Sequence, residues 1–270
     1  MSRNLPEIDP TQPSIARVYD AFLGGKDHYE VDRAVLRSLL EIAPESARAG
    51  RECRAWLIRV MRFLAGSAGI DQFLDLGCGL PTAENTHQAV QRLNPEATVV
   101  YVDNDPMVAA HGRALLEEND RTHFVVADLR EPEEVLSDPT VTRYLDFGRP
   151  IGLVHSNTLH HVSDEYKPHE VMAKYIAALP AGSYLALSHL YNPDDGSRIA
   201  ELAEDAQSRF MAMMGTCQFR TYQQIAGLFD GMEWVEPGLK YLWEWWPDGP
   251  RVTPPVDGDY LLLGGVARKA

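Results

Sequence analysis

Three aspartates end three apolar runs in this chain, each where a carboxylate could hold a polar ligand. Asp75 stands near the end of Phe73–Leu76 (FLDL), Asp103 follows ATVVYV at 97–102, and Asp128 follows THFVVA at 122–127 with its last residue Ala127. Short runs of this kind read as buried strands. In an open parallel sheet, ligands collect outside the carboxyl ends of the strands. After the first run come Gly77, Cys78 and Gly79, where the chain must turn sharply and let a ligand approach its backbone. Exposed N–H groups at such a turn and at the following helix start attract an anionic group. Asp103 lies 24 residues after Gly79, near the ~20-residue offset at which an acid meets ribose hydroxyls in dinucleotide folds.

Other residue types invite chemistry more weakly. The stretch Ser156-Asn157-Thr158-Leu159-His160-His161 follows a fourth run, IGLVH at 151–155. Its histidines have no carboxylate at helical or strand ligand spacing, so no metal is expected. His160, His161 and Tyr19 are candidates for a general base, against the alternative that the histidines are simply hydrogen-bonded in the core. Cys78 reads as a small residue in a tight loop rather than a nucleophile. Near the amino end, Arg17, Tyr19, Asp20, Lys26, Asp27 and Tyr29 surround a Gly24-Gly25 pair. That set could bind both ends of a zwitterion, with the glycines as a hinge. The alternative is a helix end that merely packs.

These motifs resemble a known family. DLGCG, YVDND and VADL are similar to motifs I to III of class I S-adenosylmethionine-dependent methyltransferases. PSIARVYDAFLGGKDHYEVDR at 13–33, FLDLGCGLPTAENTH at 73–87, VYVDNDP at 100–106 and ADLREP at 127–132 resemble the actinobacterial DUF574, or S-adenosyl methyltransferase, family. The resemblance runs from about Pro13 to the carboxyl end. It implies S-adenosylmethionine as cofactor. Asp75 would accept from its ammonium, the backbone of Gly77, Cys78 and Gly79 would position its methionyl end, and Asp103 would take the ribose hydroxyls. Asn104 would lie beside the adenine, and Asp128 and Leu129 would accept from and donate to its ring. The polar residues after the fourth strand, Asn157 among them, would face the methyl group. Arg17, Tyr19 and Lys26 would reach the cofactor from the amino-terminal segment.

The elements that must position these groups follow from periodicity. Residues 1–13 read as extended or disordered. Ser14–Phe22, Val31–Ile42 and Pro44–Ala65 read as helices, the last with a Trp56, Leu57, Val60, Met61, Leu64 stripe. Of Arg48, Arg51, Arg54, Arg59 and Arg62, one could meet a substrate anion, although a solvated face is the default. Further helices are expected at Glu84–Leu93, with Thr82 or Asn85 as cap, and at Pro106–Glu118, Pro132–Leu136 and Pro139–Tyr144. Beyond the fourth strand come a helix at His169–Leu179, a strand at Ser183–Leu190, and helices at Asp195–Met214 and Thr221–Phe229. Met211, Met213 and Met214 either pack or line an acceptor pocket. Met232–Pro237, Leu239–Trp246 and Asp259–Ala267 read as terminal strands, with Trp243, Trp245 and Trp246 assigned to sheet packing. The resemblance implies an α/β Rossmann-like class I methyltransferase sandwich. Its mostly parallel seven-stranded sheet would end in an antiparallel hairpin. Residues 1–70 would be a helical extension or lid, and 71–270 the cofactor-binding core in one compact unit.

Composition bounds the partners. The formal charge of −14, from 39 acids against 25 bases, opposes gripping a nucleic-acid backbone. No stretch approaches 18 apolar residues and the amino end has no apolar leader core, so a soluble, cytoplasmic protein with no membrane partner is expected. The three cysteines lack paired spacing for a disulfide framework or zinc. The reading is therefore methyl transfer to a small-molecule acceptor. Two alternatives stand beside it: a non-catalytic cofactor-binding regulator, and a nicotinamide oxidoreductase. The last is weakened because GCGLPT lacks the third glycine of GxGxxG.

Overall fold

The computed structural model describes residues 8–82, 84–112, 114, 119–251 and 253–270. The amino-terminal helices are α1 (Ile15–Leu23), α2 (Glu30–Ile42) and α3 (Ser46–Arg62), the last running into a π-helical turn at Phe63–Ser67. The core then alternates β1 (Gln72–Leu76), α4 (Thr86–Gln91), β2 (Thr98–Asp103), α5 (Pro106–His111) and β3 (Thr122–Val126). It continues through α6 (Pro132–Leu136), α7 (Pro139–Tyr144), β4 (Gly152–Ser156), α8 (Pro168–Ala178) and β5 (Tyr184–Leu190). Last come α9 (Arg198–Met214), α10 (Tyr222–Gly227), β6 (Glu233–Trp234), β7 (Lys240–Tyr241) and β8 (Leu262–Arg268).

Strand order is β3-β2-β1-β4-β5-β8-β6, with β7 also on β8. The first five strands are parallel, and β8 is antiparallel to β5. The expected seventh strand position is occupied twice: β6 and β7, two residues each, pair with opposite ends of β8. Tyr241 therefore begins a 3₁₀ turn at Leu242–Glu244 instead of continuing a strand through Trp246. A second 3₁₀ turn, Asp257–Leu261, replaces the start of the expected last strand.

The period-2 rule sorts the strand side chains into two apolar layers. Phe73, Val99, Tyr101, Val154, Ala186 and Val266 pack with the α3 stripe of Trp56, Leu57, Val60, Met61 and Leu64. Leu74, Val100, Val102, Leu153, Leu185 and Leu187 face Val171, Met172, Tyr175 and Ile176 of α8 on the other side. Of the tryptophans, Trp245 is fully buried and donates from Nε1 to the Gly264 carbonyl at 2.7 Å. A third, smaller cluster joins Val18, Val35, Leu39 and Ala206, with half-buried Phe22, Ile42, Phe210, Met214 and Phe219 around it.

Several boundaries shift for local reasons. The helix after β1 starts at Thr86, because Asn85 forms a capping box in which its N–H donates to Gln88 Oε1 at 2.9 Å. Thr82 instead donates its own N–H to the Asn85 side chain at 2.9 Å, so Pro81 belongs to the loop. Ser197, whose Oγ accepts from the N–H of Ala200, delays α9 to Arg198. Of the expected Pro106–Glu118 helix, residues 113 and 115–118 lie outside the described residues, as do residues 1–7 of the amino-terminal segment.

Candidate active site

A cavity of about 840 Å³ opens at the carboxyl ends of β1, β2, β3 and β4 and runs under the amino-terminal helices. Ten of the residues expected to bind the cofactor line it: Asp75, Gly77, Cys78, Gly79, Asp103, Asn104, Asp128, Leu129, Asn157 and Tyr19. Arg17 and Lys26 do not. The β-α units bring the ten together because each strand ends at the same edge of the sheet.

The carboxylates differ in environment. Asp75 is 4% exposed, and its Oδ2 accepts from Thr86 Oγ1 at 2.7 Å. Burial raises its pKa to about 6, against the downward pull of the Thr86 bond and the Arg54 charge. Asp103 accepts from the N–H of Gly79 and of Asp105, both at 2.9 Å. Burial also raises its pKa to about 6 despite those bonds. For Asp128, burial pushes the carboxyl up, but Arg130 outweighs it and holds the pKa below its ordinary value. The Arg130 Nε lies 2.9 and 3.0 Å from the two Asp128 oxygens, and its guanidinium stacks on Tyr166 at 4.1 Å.

The glycine turn is used differently from its sequence reading. The N–H groups of Gly77 and Cys78 both donate to Val102 O, at 2.8 and 3.3 Å. With Gly79 N–H on Asp103, all three turn donors are engaged inside the protein. Gly77 (φ +72°) and Gly79 (φ +67°) have left-handed backbones that favour glycine. A Cβ on Gly77 would come within 2.5 Å of Thr158 Cγ2, whereas one on Gly79 would meet open space. Gly77 is thus required by packing against the β4 loop, and Gly79 by its dihedral angle. Burial holds the Cys78 thiol well above its ordinary pKa, so it stays protonated.

Of the five arginines of α3, Arg54 lines the cavity, and its Nη2 donates to the Glu84 carbonyl. Ser46, Ala49, Gly50, Cys53, Arg54 and Leu57 form one stripe of α3 along the cavity. Their spacing of three and four residues was readable in the sequence, but which of five arginines it would select was not. The other four have different settings. Arg59 donates to the carbonyls of Trp245 and Leu242, both at 2.8 Å, Arg62 faces Asp248, Arg48 faces Asp259, and Arg51 is exposed.

The amino-terminal polar residues are largely spent on holding their own segment. Arg17 is 3% exposed and donates from Nε to Asp32 at 2.9 Å. Asp32 also accepts from the N–H groups of Ser14 and Tyr29. Asp20 accepts from Asp27 N–H at 2.9 Å and meets His28 Nδ1 at 2.8 Å. Gly25 exists for that carboxylate, since a Cβ there would fall 1.9 Å from Asp20 Oδ1. Lys26 is exposed. Ser14, which caps α1, lines the cavity and donates from its hydroxyl to Asp105.

Of the candidate bases, all three line the cavity. Burial lowers the pKa of His160 well below the ordinary value, and that of His161 to about 4 against an upward pull from Thr216. Both are neutral at pH 7. Burial raises the Tyr19 phenol, which donates to Gly50 O at 3.4 Å. Asn157 holds a left-handed φ of +57° and is tied to Ser188 by its N–H, at 3.1 Å to Oγ. The His160–His161 turn is gripped from below by Arg220, a residue that sequence reading passed over. Arg220 is 2% exposed and donates to Leu159 O, Val162 O and Asp164 at 3.0, 2.9 and 2.7 Å.

A family model described as S-adenosyl methyltransferase matches residues 1–270 of the chain. The chain belongs to the S-adenosyl methyltransferase family. It is similar to a structure described as a putative methyltransferase from Thermobifida fusca YX, with 42% identity and a TM-score of 0.90, over 96% of this chain and 95% of that one. It is also similar to a DUF574 family protein from Streptomyces avermitilis MA-4680, with 34% identity and a TM-score of 0.91, over 98% and 100% of the two chains. An O-methyltransferase family protein from Burkholderia thailandensis shares the fold, at 17% identity and a TM-score of 0.54, over 83% of this chain and 60% of that one. Comparison with curated proteins finds no match. As a member of the S-adenosyl methyltransferase family the protein is a methyltransferase that uses S-adenosylmethionine, acting on an acceptor substrate. Among the described residues no helix is long and apolar enough to cross a membrane.

Proposed function

We propose that the strand-end half of the cavity holds S-adenosylmethionine and that α1, α2 and α9 roof the other half, where a small molecule receives the methyl group in the cytoplasm. The observation that carries this reading is the continuity of one cavity from Asp75, Asp103 and Asp128 to Phe22, Leu39 and Phe210. The residues fit the cofactor. Buried carboxylates with free lone pairs suit an ammonium and a pair of hydroxyls, and Arg54 suits a carboxylate. Because the turn N–H groups are already bonded, Arg54 supplies the charge that a bare glycine turn would otherwise provide.

When bound, the cofactor supplies an electrophilic methyl group on a sulfonium. The chain's own contribution is to orient the acceptor, exclude water and offer a neutral imidazole for a proton where the acceptor must lose one. The enclosed roof and the charge of −14 favour a small molecule over nucleic acid. The test is calorimetric titration with S-adenosylhomocysteine and, separately, with NAD. Micromolar binding of the first and none of the second is expected. Failure of S-adenosylhomocysteine to bind overturns the assignment of the site.

A further inference from the structure

Among the described residues, the side chains that α1, α2 and α9 turn to the far half of the cavity are uncharged. Phe22, Leu39, Ile42, Leu57, Phe210 and Met214 line it, and their helices come from both ends of the chain. Phe22, Ile42, Phe210 and Met214 are only half-buried within their cluster. Apolar side chains facing an open volume of this kind lose the contacts they would gain by collapse. Such pockets bind ligands that are mostly apolar, with a few polar groups setting orientation. At the boundary, one ring nitrogen of each of two histidines lacks a partner. Nδ1 of His160 and Nδ1 of His161 are buried with no hydrogen bond, although both rings line the cavity. The His160 side chain belongs to a residue 6% exposed, in surroundings where an unmet polar atom is costly.

Resting on the methyltransferase reading above, we propose that the acceptor is an uncharged, mainly apolar molecule bearing a hydroxyl, which α1, α2, α3 and α9 enclose and the His160–His161 pair orients. With Nδ1 of each ring fully buried, the other ring nitrogen of each neutral imidazole is left for a hydroxyl to meet as donor or acceptor. Among the described residues Phe22, Leu39, Ile42, Phe210 and Met214, a carboxylate would meet only apolar side chains, at the cost of desolvating its charge. In the transfer, a lone pair of the acceptor oxygen forms the new O–C bond while the C–S bond breaks, its electron pair staying on sulfur. The hydroxyl proton leaves to imidazole and on to water. Methyl and charge both balance, and no further reactant is needed.

The test uses the full chain saturated with S-adenosylhomocysteine and follows binding of 2-naphthol, 2-naphthoate and naphthalene by fluorescence. The expected result is 2-naphthol binding at least ~10-fold tighter than 2-naphthoate and ~3-fold or more tighter than naphthalene, about one hydrogen bond's worth. Phe210→Asp and Met214→Asp should each weaken 2-naphthol at least ~10-fold while calorimetry still shows S-adenosylhomocysteine bound. Equal affinity for naphthol and naphthoate overturns the uncharged-acceptor inference, and equal affinity for naphthol and naphthalene overturns the role of the histidines. Should Phe210→Asp fail to fold, the three wild-type affinities and Met214→Asp still decide the matter. Loss of S-adenosylhomocysteine binding in the wild-type chain would instead sink the cofactor-site reading on which this one stands.

Discussion

Asp75 and Asp103 keep carboxylates in a buried place that resists their charge, and this shapes how pH acts on the site. Both have folded-state pKa values near 6, above the ordinary aspartate value of about 3.9. The sign follows directly. Between about pH 4 and 6 the folded chain binds protons that the unfolded chain has released, so these two groups lower the stability of the ligand-free protein as pH rises through that window. Ligand binding runs the other way, because ammonium and hydroxyl donors need the ionised form. S-adenosylhomocysteine should bind more weakly as pH falls below 6, and its binding near pH 6 should release protons. Calorimetry in buffers of different ionisation enthalpy checks this; proton uptake would reverse the assignment. Asp103→Ala should weaken the same ligand by ~1–3 kcal/mol at pH 7.5, the loss of a charge-assisted pair. Arg54→Met should cost ~1.5–3 kcal/mol of the same affinity if this guanidinium meets the carboxylate. Full affinity in a folded Arg54→Met protein would remove Arg54 from the site.

At the scale of elements, the amino-terminal helices are both covering and wall. The Gly24-Gly25 pair ends α1 in a left-handed cap and packs around Asp20, so its glycines answer to local geometry. The buried Arg17–Asp32 pair then fixes α1 against α2. Asp32→Ala would leave the Arg17 charge unpaired and three donors unmet, and should destabilise the protein by ~3–5 kcal/mol in urea unfolding. A loss under 1 kcal/mol would mean that the pair holds nothing. If the same segment closes over ligand, S-adenosylhomocysteine should slow amide exchange across residues 17–29. Unchanged exchange would leave those residues as fixed packing.

For the whole molecule, residues 8–70 share a core with the sheet through the α3 stripe, in which Trp56, Val60, Met61 and Leu64 are fully buried. Heating should therefore give one cooperative transition. S-adenosylhomocysteine at 100 times its dissociation constant should stabilise the protein by about 2.7 kcal/mol and raise that single transition. Two separate transitions, only one of them shifted by ligand, would show the amino-terminal helices to be an independent unit.

What the sequence by itself determined is local and periodic. Apolar runs ending in Asp75, Asp103 and Asp128, with glycines at 77 and 79, set the strands and their common edge, because a parallel β-α sheet must bring its carboxyl ends together. The family motifs then named the cofactor. What only the tertiary structure decided is which partner each polar group takes. Arg17 and Arg54 are alike in sequence, yet one is buried on Asp32 while the other lines the cavity. The turn N–H groups look free for an anion but bond to Val102 and Asp103. Arg220, remote from every motif, supports the histidine turn through long-range contacts to Leu159, Val162 and Asp164. The apolar half of the cavity needs α2 and α9, more than 150 residues apart in the chain, to meet around it. Periodicity says that a face is apolar; only the packed structure says whether that face is filled or left open for a ligand.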